Sequence, residues 1–249
     1  MVTTDVRRLF EEIAGQPFTA SGIRPGGLSL THRALRVARL GEGDRVLDIG
    51  CGTGISVGYF IREHGIRAVG LDASPYLVSR GKAGDPTLPL LRAHAEALPF
   101  PDGSFDAVSL ECTLSLVSDR DRVLDECYRV LTPRGRLIVT DLYARNAEAI
   151  EVLRNLPGCS CLKGALDKDG FLRECSFAGF GFATFEDHSD MLRDFAAEMI
   201  WTYGSLDCFW AAHGASSGDI GEVHQAVSEA RPGYFLLVGF KAFRLQEVL

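Results

Sequence analysis

The run Val46-Leu47-Asp48-Ile49-Gly50-Cys51-Gly52-Thr53-Gly54 feeds a short apolar strand into a cluster of glycines. Helical period follows at once, with Val57, Phe60, Ile61 and His64 on one face and Gly65 placed to stop the helix. Glycines at such a junction let the backbone turn sharply and approach a ligand closely. In an open α/β sheet, ligands bind in the crevice outside the carboxyl ends of the strands. The chain is therefore expected to build such a sheet, with its binding site at this loop.

The rest of the sequence fits that frame. Short apolar runs at residues 45–49, 68–71, 90–93, 105–110 and 136–141 alternate with helical stretches, and Ser74-Pro75 and Thr132-Pro133-Arg134-Gly135 punctuate the pattern. Strands separated by helices imply βαβ units and a mainly parallel sheet. Later runs at 183–186 and 234–243 complete a doubly wound, seven-stranded α/β fold, with a helical insertion between the last two strands acting as a lid or cover. Residues 1–43 read as a helical cap in which Ser29 or Thr31 caps the second helix. Residues 44–188 form the cofactor-binding core, 189–231 the insertion and 232–249 the last strand, all in a single domain.

The glycine spacing separates two ligand classes. Dinucleotide sites use G-x-G-x-x-G, whereas here the third glycine position holds Ile55, and the phosphate-loop Lys-Ser/Thr ending is absent. An acid, Asp48, stands two residues before the first glycine. A carboxylate there repels a pyrophosphate and favours a cation. S-adenosylmethionine fits, since it carries a sulfonium and an ammonium and no phosphate. Asp72, 22 residues after Gly50, ends the second strand, where an acid can accept hydrogen bonds from both ribose hydroxyls. That feature is shared with NAD sites, and Asp72 could also merely cap a helix.

Four ordered segments, VLDIGCGTG (46–54), GLDAS (70–74), AEALPFPDGSFDAV (95–108) and RVLTPRGRLIV (129–139), resemble the class I S-adenosylmethionine-dependent methyltransferases. The likeness is to the small-molecule, ubiquinone/menaquinone-biosynthesis-like group, and spans residue 44 to about 143. It implies that Gly50, Cys51 and Gly52 lie along the methionine moiety, that Asp48 acts near its amino group, and that Asp72 holds the ribose beside Ala73. Ala95 and Glu96 would flank the adenine, and Glu111 and Cys112 would sit beneath the sulfonium. The product would be S-adenosylhomocysteine. Two departures stand out: His94 occupies a position where relatives often carry Asp, and no histidine follows the fourth strand near Leu114-Ser115-Leu116.

Methyl transfer is an in-line displacement in which the cofactor carries the activation, and the protein aligns the partners and excludes water. A base is needed only if the acceptor must lose a proton. Candidates are Asp141 and Tyr143 after the fifth strand and Asp187 and His188 after the sixth, each of which could instead cap a helix. Cys159, Cys161 and Cys175 suggest an alternative, a thiophilic acceptor such as trivalent arsenic, against buried packing as the plain reading. Trp201, Tyr203, Phe209 and Trp210 in the insertion could be core, line an acceptor pocket or serve a homodimer interface. Arg24 could meet the carboxylate of the methionine moiety or be a solvated surface residue.

A net charge of −7 argues against non-specific nucleic-acid binding, which depends on Lys and Arg neutralising phosphates. Seven scattered cysteines do not read as a disulfide framework, and the N-terminus lacks a long apolar run, so a cytoplasmic protein with no membrane partner and no metal is expected. The expected function is methyl transfer to a small-molecule acceptor. A metalloid methyltransferase, a non-catalytic S-adenosylmethionine-binding protein and an NAD-dependent oxidoreductase are the alternatives.

Overall fold

A computed structural model of the chain describes residues 4–16, 19–20, 22–156, 161–216 and 218–242. Two helices, α1 (Thr4–Ile13) and α2 (Gly27–Ala38), precede β1 (Arg45–Ile49), α3 (Ile55–His64), β2 (Arg67–Asp72), α4 (Pro75–Gly84) and β3 (Leu90–Arg92). Then come β4 (Phe105–Glu111), α5 (Arg120–Val130), β5 (Leu131–Ala144), α6 (Ile150–Arg154), the short β6 (Leu166–Asp167) and α7 (Lys168–Phe177). β7 (Phe180–Asp187), α8 (Ser189–Tyr203), α9 (Leu206–Ala212), α10 (Asp219–Ala230) and β8 (Pro232–Lys241) complete the order.

The strands lie in the order β3-β2-β1-β4-β5-β8-β7, with β6 pairing β5 off that path. β3, β2, β1, β4 and β5 are mutually parallel, and β8 runs antiparallel between β5 and β7. The central strands are apolar without alternation because helices cover both faces of the sheet. Leu47, Ile49, Val108, Leu110 and Val139 pack with Val123, Leu124 and Cys127 of α5 and Phe171 and Cys175 of α7. The intervening residues face the other way. Val46, Ala68 and Ala107 meet Leu35, Val57 and Phe60, while Ile138, Leu142 and Leu236 meet α2 and α10. This is the expected doubly wound sheet, and the helical insertion between the last two long strands is present. The strand count is eight rather than seven because of the two-residue β6.

β5 runs farther than expected. Its pairing with β8 continues from Arg136 opposite Phe240 to Ala144 opposite Pro232. Asp141 and Tyr143 consequently lie within the sheet and not past its end. α2 also starts earlier than Ser29 or Thr31 would have it. Gly26, at φ 75°, is its N-cap, which leaves Thr31 inside the helix. Over the carboxyl ends of β1 and β2, α1 meets the insertion: Leu9, Ile13 and Phe209 form a small apolar cluster with Phe10, Ile23, Phe195, Met199, Tyr203 and Trp210 against it. Three of the four insertion aromatics are thus at least partly buried, and Trp201 alone of them is fully open, at 92% exposure. Among the described residues no helix is long and apolar enough to cross a membrane.

Candidate cofactor cleft

The glycine loop is held in place by the neighbouring strand. The amides of Gly50 and Cys51 both donate to the carbonyl of Leu71, at 2.7 and 3.1 Å. Gly50 is required twice over. Its φ is +76°, and a Cβ there would come within 2.2 Å of Thr113 Oγ1, which itself donates to the Ile49 carbonyl at 3.0 Å. Gly52, at φ +57°, differs: a Cβ there would meet nothing within 4 Å. Its backbone faces the cleft, where a ligand can approach closely.

Asp72 locks this loop to the end of β2. One carboxylate oxygen accepts from Gly52 N and the other from Ser74 N, both at 2.8 Å. Each oxygen keeps a further acceptor site for a ligand hydroxyl. Burial pushes the Asp72 carboxyl up, and the two amide hydrogen bonds oppose that shift. Ser74 caps α4 through Leu77 N and donates its hydroxyl to Glu11 of α1. The N-terminal helix is thereby tied to the same corner.

A buried charge cluster forms the floor. Arg24 Nη2 and Glu111 Oε2 are 2.9 Å apart, with side chains only 9% and 4% exposed. The same Nη2 donates to Thr31 and Ser56, and these two hydroxyls donate to the two oxygens of Glu111 at 2.8 and 2.9 Å. Asp48 lies alongside, 2% exposed, with no hydrogen-bond partner for its carboxylate among the described residues. Burial, reinforced by Glu111, raises the Asp48 carboxyl well above the usual range, and Arg24 pulls the other way. Two buried acids thus share one buried guanidinium, an imbalance that a cationic ligand would relieve.

The cleft above this floor is about 580 Å³, within the roughly 300–1,000 Å³ usual for small-molecule sites. Of the expected cofactor residues, Gly50, Cys51, Gly52, Asp72, Ala73, Ala95, Glu96, Glu111 and Cys112 all line it, and Asp48 sits just behind them. His94 lines it too, at the departure noted above. Phe10, Ala14, Gly15, Gln16 and Ile23 close it from the N-terminal side, and Leu116 and Val117 border it beyond β4.

The candidate bases lie elsewhere. Asp141 is fully buried and accepts from Ser115 N and Leu142 N at 2.9 and 2.8 Å, so it anchors the loop that follows β4. Tyr143 donates to Asp187 at 2.7 Å, and Asp187 also accepts from Ser189 N at the start of α8. His188 is the N-cap of α8, with its ring against Glu186. None of the four borders the cleft. The cysteine set is also not assembled. Cys175 packs in the core on the α5–α7 side of the sheet, Cys161 lies against the core on the opposite face, and Cys159 falls outside the described residues. Burial pushes the Cys161 thiol up to about 12, which makes it a poor thiolate ligand at neutral pH. No group of three or more His, Cys, Asp or Glu residues suited to a metal exists among the described residues.

Sequence reasoning missed Thr31, Ser56 and Thr113. Each is a hydroxyl on an otherwise apolar buried face, and that mismatch is the only local signal they give.

Comparison with known proteins agrees with this geometry. Residues 47–139 match the family described as "Methyltransferase domain". A demethylmenaquinone methyltransferase of Beutenbergia cavernae is 35% identical over 139 residues, covering 55% of this chain and 58% of the relative. The enzyme of the same name from Thermus thermophilus is 36% identical over 141 residues, covering 53% and 64%. The chain therefore spans somewhat under two thirds of these relatives. A crystal structure of the (4+2)-cyclase SpnF superposes with a TM-score of 0.72 at 24% identity, covering 94% of both chains. Phosphoethanolamine N-methyltransferase 2 of Haemonchus contortus, in complex with S-adenosyl-L-methionine, gives 0.67 at 18% identity over 94% of this chain and 60% of that one. Residues 47–139 are thus similar to a methyltransferase domain, and the chain as a whole shares the fold of these solved structures.

Proposed function

We propose that the chain transfers a methyl group from S-adenosylmethionine to a small-molecule acceptor. The observation that carries this reading is the buried floor beneath an open glycine loop: Asp48 and Glu111 share the buried guanidinium of Arg24, and the loop lacks the features that hold phosphates. The bound cofactor would supply an activated methyl group on a cationic sulfur. Asp72 would accept from the ribose hydroxyls through the lone pairs left by Gly52 and Ser74. Ala73 and Ala95 give the adenine flat, apolar neighbours. Asp48 and Glu111 offer negative charge to the ammonium.

The chain's remaining contribution is alignment and exclusion of water. Phe10, Ala14 and Ile23 form an apolar roof that α1 shares with the insertion. Glu111 and Asp72 are committed to their hydrogen-bond partners, so neither is poised to remove a proton. An acceptor that attacks with its own electron pair, or that arrives already ionised, suits such a site. Because the matched relatives are named for demethylmenaquinone, quinols are the first acceptors to offer.

The test is calorimetric titration of the protein with S-adenosylhomocysteine and, separately, NADH. Micromolar binding of the first, about −8 kcal/mol, with none of the second, is expected. NADH binding with no response to S-adenosylhomocysteine would favour an oxidoreductase and sink the proposal.

A further inference from the structure

We propose that His213 is an acid-sensitive catch on the roof of the cleft: while its ring is neutral the helical insertion stays docked on α1, and protonation releases that contact. Such a catch acts on closure of the cleft, whichever ligand the cleft takes.

Phe10 of α1 lines the cleft and also packs against the cluster of Leu9, Ile13 and Phe209 that joins α1 to the insertion. That contact holds the roof in place. His213, the residue that ends α9, lies at the same contact. Its ring meets Phe209 at 4.7 Å and Tyr203 at 5.8 Å, edge to face. The side chain is only 8% exposed, and neither ring nitrogen has a hydrogen-bond partner among the described residues. The nearest charge across the contact is Glu12 of α1, whose Oε2 is 3.7 Å from Nδ1, too far for a hydrogen bond.

A protonated imidazole carries a charge and two N–H donors. At this contact it finds no acceptor in reach and little water, so the charged form is penalised where it stands. Burial lowers the His213 imidazole, and Glu12 opposes that shift only in part. Glu12 is half-exposed and already bonded to Arg8 at 2.7 Å, which holds its carboxyl below the usual carboxylate range. Tyr203, facing the ring from α8, is pushed up by burial and stays neutral. Asp207 on α9 pairs with His224 of α10 at 2.7 Å, and Glu11 on α1 turns to Ser74. The docked state therefore binds the His213 proton less well than the released state. Docking is full above the ordinary imidazole value of about 6.5 and weakens as pH falls below it.

The experiment is hydrogen exchange in the whole protein without ligand, read as protection factors for residues 9–14. Between about pH 7.5 and about pH 5.5, protection should fall roughly three- to tenfold. In His213→Gln the fall should vanish, while His224→Gln, altered outside the contact, should keep it. Should His213→Gln fail to fold, Glu12→Gln decides: it removes the one carboxylate facing the ring and should deepen the fall. Wild-type protection that holds constant or rises in acid would overturn the assignment. So would an undiminished fall in folded His213→Gln, or a fall that shrinks in Glu12→Gln.

Discussion

Replacing Gly50 by alanine probes how the loop is built, and the structure gives the size of the effect. The residue sits at φ +76°, and holding an L-residue in the left-handed region costs roughly 1–2 kcal/mol. The new methyl would also lie 2.2 Å from Thr113 Oγ1 and 2.8 Å from its Cγ2, so Thr113 must rotate away. That breaks its 3.0 Å hydrogen bond to the Ile49 carbonyl, worth about 0.5–1.5 kcal/mol net. Gly50→Ala should therefore destabilise by about 1.5–3.5 kcal/mol. Thr113→Ala alone removes only the hydrogen bond and should cost about 1 kcal/mol. Because Gly50→Ala has already forfeited that bond, the double variant should be scarcely less stable than Gly50→Ala. Urea denaturation of the two single variants and the double variant measures this cycle. Losses that simply add, to within about 0.5 kcal/mol, would show that Thr113 is not what excludes a side chain at Gly50, and would refute the reasoning.

Asp48 predicts a pH dependence of binding. Burial and Glu111 raise its carboxyl in the free protein, and an ammonium placed nearby would lower it again. Binding should release a proton, so affinity should strengthen as pH rises between the bound and free values, by up to about tenfold per pH unit, and level off above. Calorimetry in buffers of different ionisation enthalpy reads that proton; no release would contradict the placement of the cation. The same raised carboxyl gives the opposite trend in stability without ligand. This contribution is full below the unfolded value and lost as pH climbs through the folded one, so Asp48→Asn should be more stable than wild type near pH 7 in a thermal melt while binding more weakly. Asp141→Ala should behave as a structural lesion, losing about 2–4 kcal/mol by leaving the buried amides of Ser115 and Leu142 unmet. A pH–rate profile that lost a limb in this variant, with stability unchanged, would restore Asp141 as a base.

The cofactor half of the site was legible in the sequence because its chemistry is local. A strand ending in glycines, an acid two residues earlier and an acid at the next strand's end all sit at fixed offsets, and the parallel register of β1 with β2 brings them together. The candidate bases misled because their position depends on a distant partner. Asp141 and Tyr143 looked like strand-end residues until β8, almost 100 residues later, extended the pairing past them. Thr31 and Ser56 escaped for a related reason, and the buried pairing of Arg24 with Glu111 was equally hidden. Nothing near them in sequence reveals that a loop, α2 and α3 converge on Glu111 at the end of β4. The cysteine spacing was equally uninformative, since Cys161 and Cys175 end on opposite faces of the sheet.

A crystal structure of the chain with S-adenosylhomocysteine is the decisive measurement of where the cofactor lies. The ribose is expected on Asp72, the adenine beside Ala73 and Ala95, and the amino-acid end above Gly50–Gly52, with its ammonium toward Asp48 and Glu111. A nucleoside bound elsewhere, or an amino-acid end turned away from the Asp48–Glu111 floor, would contradict this placement.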